Sequence, residues 1–244
     1  MIVNSTEVQN NFGKYLKLLD REDIIITRNG KKVARLIGFK ENEDYVIREG
    51  SSAYSHKGMK VSYEKFLEIT RESENRFEYI DGEIYLLASP RFKHQKIVIE
   101  MSSILLEWFK SKKCQPLSAP FDVTLYKDEE PNVVQPDLLV ICDQENVEED
   151  DTYSGIPALV VEVLSQSTQN KDVIKKLDLY RAAGVCEYWI INPLSKEINI
   201  YQFAEKEINN IVTFKKNEVA KSFVFSGLEI MVDDVLTPFD PLIN

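Results

Sequence analysis

Histidine is nearly absent from this chain: His56 and His94 are the only two in 244 residues. A multi-histidine metal centre is thereby excluded. Cysteine is as scarce. Cys114, Cys142 and Cys186 are odd in number, far apart and without C-x-x-C spacing, so neither a disulfide framework nor a thiolate metal site is indicated. The expectation is three buried, reduced thiols in a cytoplasmic protein. No apolar run reaches the roughly 18 residues that a membrane-spanning helix needs. The opening MIVNSTEVQN lacks the basic and apolar regions of a secretion signal. There is no internal repeat and no low-complexity tract.

Charge is present but uneven. The chain carries a net −10; residues 1–40 hold eight Lys/Arg and four Asp/Glu, a balance of +4, so the remaining residues sum to −14. An acidic body argues against non-specific nucleic-acid binding through its bulk surface. A local basic cleft is compatible with it, and carboxylates gathered around a divalent cation would add to the negative sum. With 43% apolar and 29% charged residues, the composition is that of an ordinary globular protein of one or two domains.

Met1–Val3 can start a strand, and Thr6 with Gln9 three residues on has the pattern of a capping box. Val8, Phe12, Tyr15, Leu16 and Leu19 recur at helical spacing. Ile24–Thr27 and Val33–Phe39 flank Asn29-Gly30, a strong hairpin signal. This gives a small βααββ domain over residues 1–40. So few large apolar residues do not stabilise it alone, and pairing as a homodimer is expected. Residues 41–60 are polar, with Gly and Ser, and read as a linker.

The second domain, 61–244, opens with an amphipathic helix over Ser62–Arg71 and a hairpin of Arg76–Ile80 and Glu83–Ala88 around Asp81-Gly82. Pro90 opens a long helix with Ile97, Ile104, Leu105, Trp108 and Phe109 apolar. Leu117–Tyr126 reads as one strand and Lys127–Asn132 as a turn. Buried strands follow Gln135 and span Ala158–Leu164, separated by an acidic loop, Asp143–Tyr153, that reads as solvated. Thr168 or Asn170 caps a helix that Gly184 ends. Strands Glu187–Asn192 and Glu197–Phe203 come next, and Phe223–Phe225 and Ile230–Val232 add an edge. The expected class is α/β in the α+β sense, a mixed sheet with flanking helices.

Chemistry concentrates at two carboxylates. In Ala158–Leu164 alternation puts Glu162 on the face of Val160 and Leu164, where an unpaired charge costs several kcal/mol, roughly. Asp137 opens the preceding apolar run. Phosphodiester hydrolysis with a divalent ion needs two carboxylates at one point and a cation near the attacking water. Such a pair, held close, needs a metal, a shared proton or a lysine to offset its repulsion. Hard oxygen ligands favour Mg²⁺ or Mn²⁺. Asp172, Lys176 and Tyr180 share one helical face, so Lys176 is the candidate amine, with Lys175 its neighbouring competitor. Plainer readings stand beside these: a strand-start role for Asp137 and an Asp172–Lys176 surface pair.

The segments NSTEVQNNFGKYLKLL and DIIITRNGKKVARLIGF resemble the N-terminal part of the Phd/YefM antitoxin family, with Phe12, Ile26–Lys31 and Val33-Ala34 matching. The resemblance implies dimerisation, operator-DNA binding and a toxin partner, although a second domain stands where that family's toxin-neutralising tail would be. Arg28, Lys31 and Lys32 would then be phosphate contacts, with Lys14 and Lys17 on other helix faces. The alternative is an accessory dimerisation module that touches no DNA.

A second and more specific resemblance covers residues 61–203. RFEYIDGEIYLLASPRFKHQ, VQPDLLVICD, GIPALVVEVLSQST and DVIKKLDLYRAAGVCEYWIINP are similar to the Uma-two family of restriction endonucleases, within the PD-(D/E)XK superfamily. It implies a restriction-endonuclease-like core with Asp137 and Glu162 as ligands of Mg²⁺ or Mn²⁺. The superfamily's E-x-K lysine would fall at Leu164, and the resemblance puts the amine at Lys176 instead. Glu78, Glu83 and His94 sit in other characteristic segments, with Glu78 a candidate third carboxylate and His94 a candidate site residue. A metal-dependent DNA endonuclease fused to an antitoxin-like module is therefore expected. A catalytically inactive regulator that binds operator DNA or a toxin is the alternative. A glycosidase using the same carboxylate pair lacks an aromatic-rich sugar cleft.

Overall fold

The computed structural model describes residues 1–19, 22–36, 59–71, 73–149, 152–165 and 171–236, which fall into two compact units, 1–36 and 59–236. Most of the expected linker, the end of the second hairpin strand near Phe39 and the Thr168 or Asn170 cap lie outside the described residues.

The first unit runs β1 (Ile2–Asn4), α1 (Ser5–Asn10), α2 (Phe12–Leu16), β2 (Ile24–Arg28) and β3 (Lys31–Leu36). β1 pairs parallel with β2, and β2 antiparallel with β3. Asn29 and Gly30 take φ of 52° and 74°, the left-handed pair that a two-residue hairpin turn requires. The helix cap is Asn4, whose side chain accepts the Thr6 N–H at 2.9 Å; Thr6 itself is inside the helix, a correction to the capping-box reading. Asn11, at φ −131°, breaks the helical phase between α1 and α2. Val8, Tyr15 and Ile24 are thus the buried core, while Phe12 and Leu16 stand 48% and 46% exposed. Arg28, Lys31 and Lys32 are all exposed at the hairpin turn.

The second unit begins with β4 (Met59–Lys60), which pairs with β6; the last two residues of the expected linker are therefore strand. Then come α3 (Tyr63–Arg71), β5 (Phe77–Ile80), β6 (Glu83–Leu86), α4 (Phe92–Phe109), β7 (Gln115–Ser118), β8 (Val123–Lys127), β9 (Glu130–Val134), β10 (Leu138–Ile141) and β11 (Leu159–Val163). A wide turn of π type over Lys171–Lys176 leads into α5 (Leu177–Ala183). β12 (Glu187–Asn192), β13 (Glu197–Ala204), β14 (Glu207–Lys215), β15 (Val219–Lys221), β16 (Glu229–Met231) and α6 (Val232–Leu236) complete it. Strands β14-β13-β12-β11-β10-β7 form a six-stranded sheet in which only β11 and β12 pair in parallel, and β4-β6-β5-β9-β8 a five-stranded one.

Alternation splits the large sheet cleanly. Leu138, Val140, Val161 and Val163 pack with Ile97, Met101 and Leu105 of α4, whereas Leu139, Ile141, Val160 and Leu164 pack with Leu179 and Tyr180 of α5. The stretch Leu117–Tyr126 is two strands in two sheets, not one. Pro120 lies in the break, and a residue without an N–H cannot extend a ladder. The expected turn Lys127–Asn132 shrinks to Asp128 and Glu129, at φ 50° and 69°, and β9 starts directly after. Residues Phe223–Phe225 form no strand.

The cysteine expectation is overturned. Cys114 and Cys142 form a disulfide, and Cys186 is exposed. The cause is register: Gln115 pairs with Ile141, so the next opposed positions are the two cysteines. Their separation of 28 residues hides this from sequence. Disulfides are uncommon in the cytosol, so the cytoplasmic expectation loses the support of the thiol reading.

The acidic loop is also less open than expected. Tyr153 is 1% exposed, and its hydroxyl donates to Asp143 at 2.7 Å. A Cβ on Gly155 would stand 2.5 Å from Asp143 Oδ2 and 2.6 Å from the Tyr153 ring. Gly155→Ala is therefore expected to cost about 1–3 kcal/mol of stability by overpacking, read as a lowered urea midpoint. An unchanged midpoint would contradict it.

Candidate active site

Glu162 is the fourth residue of β11, a strand buried throughout. It faces α5, as alternation with Val160 and Leu164 requires, and is 4% exposed. The π-type turn sets Lys176 against it: Lys176 Nζ lies 2.6 Å from Glu162 Oε1 and 2.8 Å from Glu78 Oε1. One turn on, the Tyr180 hydroxyl donates to the same Glu162 oxygen at 3.0 Å. Burial, reinforced by the Glu162 carboxylate, holds the Tyr180 phenol well above the ordinary tyrosine range. Tyr180 therefore stays a donor to Glu162.

Glu78 comes from β5, whose four residues are all buried. Its Oε1 also accepts the Gln135 N–H at 3.0 Å, which ties the hairpin to the segment leading into β10. Asp137 stands at the mouth of β10. Leu138 pairs with Val161, and continuing that antiparallel register by one sets Asp137 across from Glu162. Asp137 Oδ2 accepts the Val163 N–H at 2.8 Å and lies 3.1 Å from His94 Nε2, near the start of α4. The Asp137 side chain is 18% exposed against 5% for Glu162, so the pair runs from solvent edge to interior.

The sequence candidates thus gather as Asp137 with His94, and Glu162 with Lys176 and Glu78. Asp172 lies outside the described side chains, so its expected pairing with Lys176 is not seen. Lys175 takes other partners, with Nζ 2.7 Å from Glu83 Oε2 and contacting the Tyr85 hydroxyl. Burial alone would lower its ammonium, but Glu83 and Tyr85 outweigh burial and keep it charged above the ordinary lysine value. This second cluster was not read from sequence. Its signal was period-two alternation in the hairpin: Glu78 pairs with Tyr85 and Ile80 with Glu83, so all four share one face. Leu164, at the E-x-K position, is buried in the core against α5.

Residues 63–233 match the Uma2 family, described as "Putative restriction endonuclease". The chain belongs to the Uma2 family. Residues 1–46 match the Phd/YefM antitoxins of type II toxin–antitoxin systems. Two uncharacterized proteins of Synechocystis sp. are similar to this Uma2 chain. One is 27% identical over 143 residues, covering 58% of this chain and 74% of its own length. The other is 24% identical over 140 residues, covering 57% and 78%. A crystal structure from Anabaena variabilis, described as "a putative nuclease belonging to DUF820", superposes with a TM-score of 0.60. It is 21% identical and covers 72% of this chain and 98% of that one, a likeness of fold. The mixed sheets and flanking helices of residues 59–236 are thus a restriction-endonuclease-like nuclease fold.

Proposed function

We propose that residues 59–236 of this Uma2 protein form a divalent-metal-dependent endonuclease that hydrolyses phosphodiester bonds in DNA. One observation carries the reading: a lysine 2% exposed is wedged between buried Glu78 and Glu162, and the strand next to that of Glu162 brings Asp137 into register with it. Three carboxylates to one ammonium leave the cluster negative, which suits a cation. The donors are hard oxygens, which fits Mg²⁺ or Mn²⁺. In this reading Asp137 and Glu162, opposed by register, are the protein's share of ligands; among the described residues no group of three His, Cys, Asp or Glu is placed to hold a metal. Water and phosphate oxygens would complete the shell, as is usual for Mg²⁺. Bound there, the ion would activate water and offset phosphoryl charge.

The remaining roles fall to the chain's own groups. Glu78 keeps Lys176 in place, and Lys176 orients the attacking water or offsets charge on the phosphoryl oxygens. His94 and the Val163 N–H fix the Asp137 carboxylate.

The first unit, in this reading, dimerises and binds DNA. Exposed Ile2, Phe12, Leu16 and Val33, on a unit that buries Val8, Tyr15 and Ile24 among its described residues, support self-association. Exposed Arg28, Lys31 and Lys32 support phosphate contact. A toxin partner and a cytoplasmic setting belong to the same proposal. Among the described residues no helix is long and apolar enough to cross a membrane.

The test is cleavage of plasmid and single-stranded DNA by the full chain with Mg²⁺ or Mn²⁺. Nicking is expected to require metal and to fall at least about a hundredfold in both Asp137→Asn and Glu162→Gln. Metal-dependent nicking that survives both substitutions refutes the assignment. The regulator reading is favoured by one feature, the engagement of Glu162 by Lys176 and Tyr180. It predicts DNA binding with no cleavage under any metal.

A further inference from the structure

The first turn of α4 places Arg91, Phe92 and Lys93 in solvent immediately before His94. Phe92 is 80% exposed, whereas Ile97, Val98, Met101, Leu105 and Phe109 of the same helix are buried. Helical phase places Phe92 on the open side, and no described core cluster includes it. The turn is anchored to the site by the 3.1 Å contact between His94 and Asp137. On the other flank, Ile174 is 67% exposed two residues before Lys176. Each arm of the charged cluster therefore carries an exposed apolar side chain two residues before its site residue.

An exposed aromatic between two cations has a specific complement. Arg91 and Lys93 suit phosphates, and the ring offers a face on which a base can stack. An apolar peptide would leave the cations unused, and a paired duplex would leave the ring unused. We propose that Phe92 stacks on an unpaired base beside Asp137, with the neighbouring phosphates on Arg91 and Lys93, so the site takes single-stranded or locally opened nucleic acid. This deepens the nuclease reading and rests on it only for what is done to the bound strand. The chemistry recognised is common to single-stranded DNA and RNA, since both present a base and a phosphate.

Binding of the full chain to fluorescein-labelled oligo(dT), oligo(U) and a duplex of equal length, measured by anisotropy in EDTA, tests this without cleavage. Phe92→Ala is expected to weaken binding of at least one single strand by about fivefold or more, while the duplex is unchanged. Phe92→Trp is expected to retain the single-strand affinity. Because the side chain is in solvent, the substitution does not threaten the core. Equal binding by Phe92→Ala and the parent, equal loss on duplex and single strands, or no single-strand binding by the parent would overturn the proposal. Phe92-dependent binding without metal-dependent cleavage would instead sink the nuclease reading and leave this one standing.

Discussion

Lys176→Met is expected to lower the unfolding free energy by about 3–5 kcal/mol, because it strips the cation from two buried carboxylates. Methionine keeps much of the stem's volume, so the loss is electrostatic more than steric. Glu78 is 0% exposed and Glu162 4%, and both approach the same ammonium, at 2.8 and 2.6 Å. Without it, neither can recover the hydration it gave up on folding. The Gln135 N–H at Glu78 and the Tyr180 hydroxyl at Glu162 remain as neutral donors and do not replace a full charge. The triple variant Glu78→Gln, Glu162→Gln, Lys176→Met is expected to regain most of the loss, since a neutral cluster needs no counter-ion. Urea unfolding followed by tryptophan fluorescence reads the second unit directly, because Trp108 and Trp189 are the only two tryptophans and both lie in it. A single variant within about 1 kcal/mol of the parent would show that the buried ion pair is not what holds these strands and helix together.

Glu187→Ala carries the second large effect, about 2–4 kcal/mol, at a carboxylate unconnected with catalysis. Glu187 opens β12 and is 0% exposed. It accepts from Ser222 Oγ at 2.6 Å, Trp189 Nε1 at 2.9 Å, and the N–H groups of Phe223 and Val224 at 3.1 and 3.2 Å. Four donors converge on one anion, so the turn after β15 is stapled to the sheet by charge-assisted bonds. Alanine leaves all four donors without this acceptor. Gln is expected to do only partly better, since its amide has one acceptor oxygen and turns an NH₂ towards the donors. The same fluorescence-detected unfolding reads the loss, and a shifted Trp189 emission is expected with it. An unaltered midpoint in Glu187→Ala would mean that the turn is held by something else.

These two carboxylates also separate what was legible from what was not. Glu162 was visible as a charge on the wrong face of an apolar strand, because β alternation is a local rule. Lys176 and Tyr180 were visible as a helical pair, and Asn29-Gly30 and Asp81-Gly82 as hairpin turns, for the same reason. Glu187 opens a strand, yet apart from Trp189 nothing nearby in sequence announces its partners, which lie 35 to 37 residues on. Glu83 and Lys175 meet across 92 residues. Phe12 and Leu16 share the helical spacing of Val8 and Tyr15 yet stand in solvent, because the backbone at Asn11 shifts the helical phase.

By itself, then, the sequence determined the hairpins, the buried placement of Glu162 and the helical phase that sets Lys176 and Tyr180 on one face. All of these follow from periodicity and turn chemistry within a dozen residues. The tertiary structure alone decided that Cys114 meets Cys142, that Leu117–Tyr126 divides between two sheets, and that Lys176 answers to Glu78 as well as Glu162. Those outcomes depend on strand register and on how the β5–β6 hairpin packs against the π-type turn. Register is set by the summed fit of whole elements, and no single stretch of chain contains it.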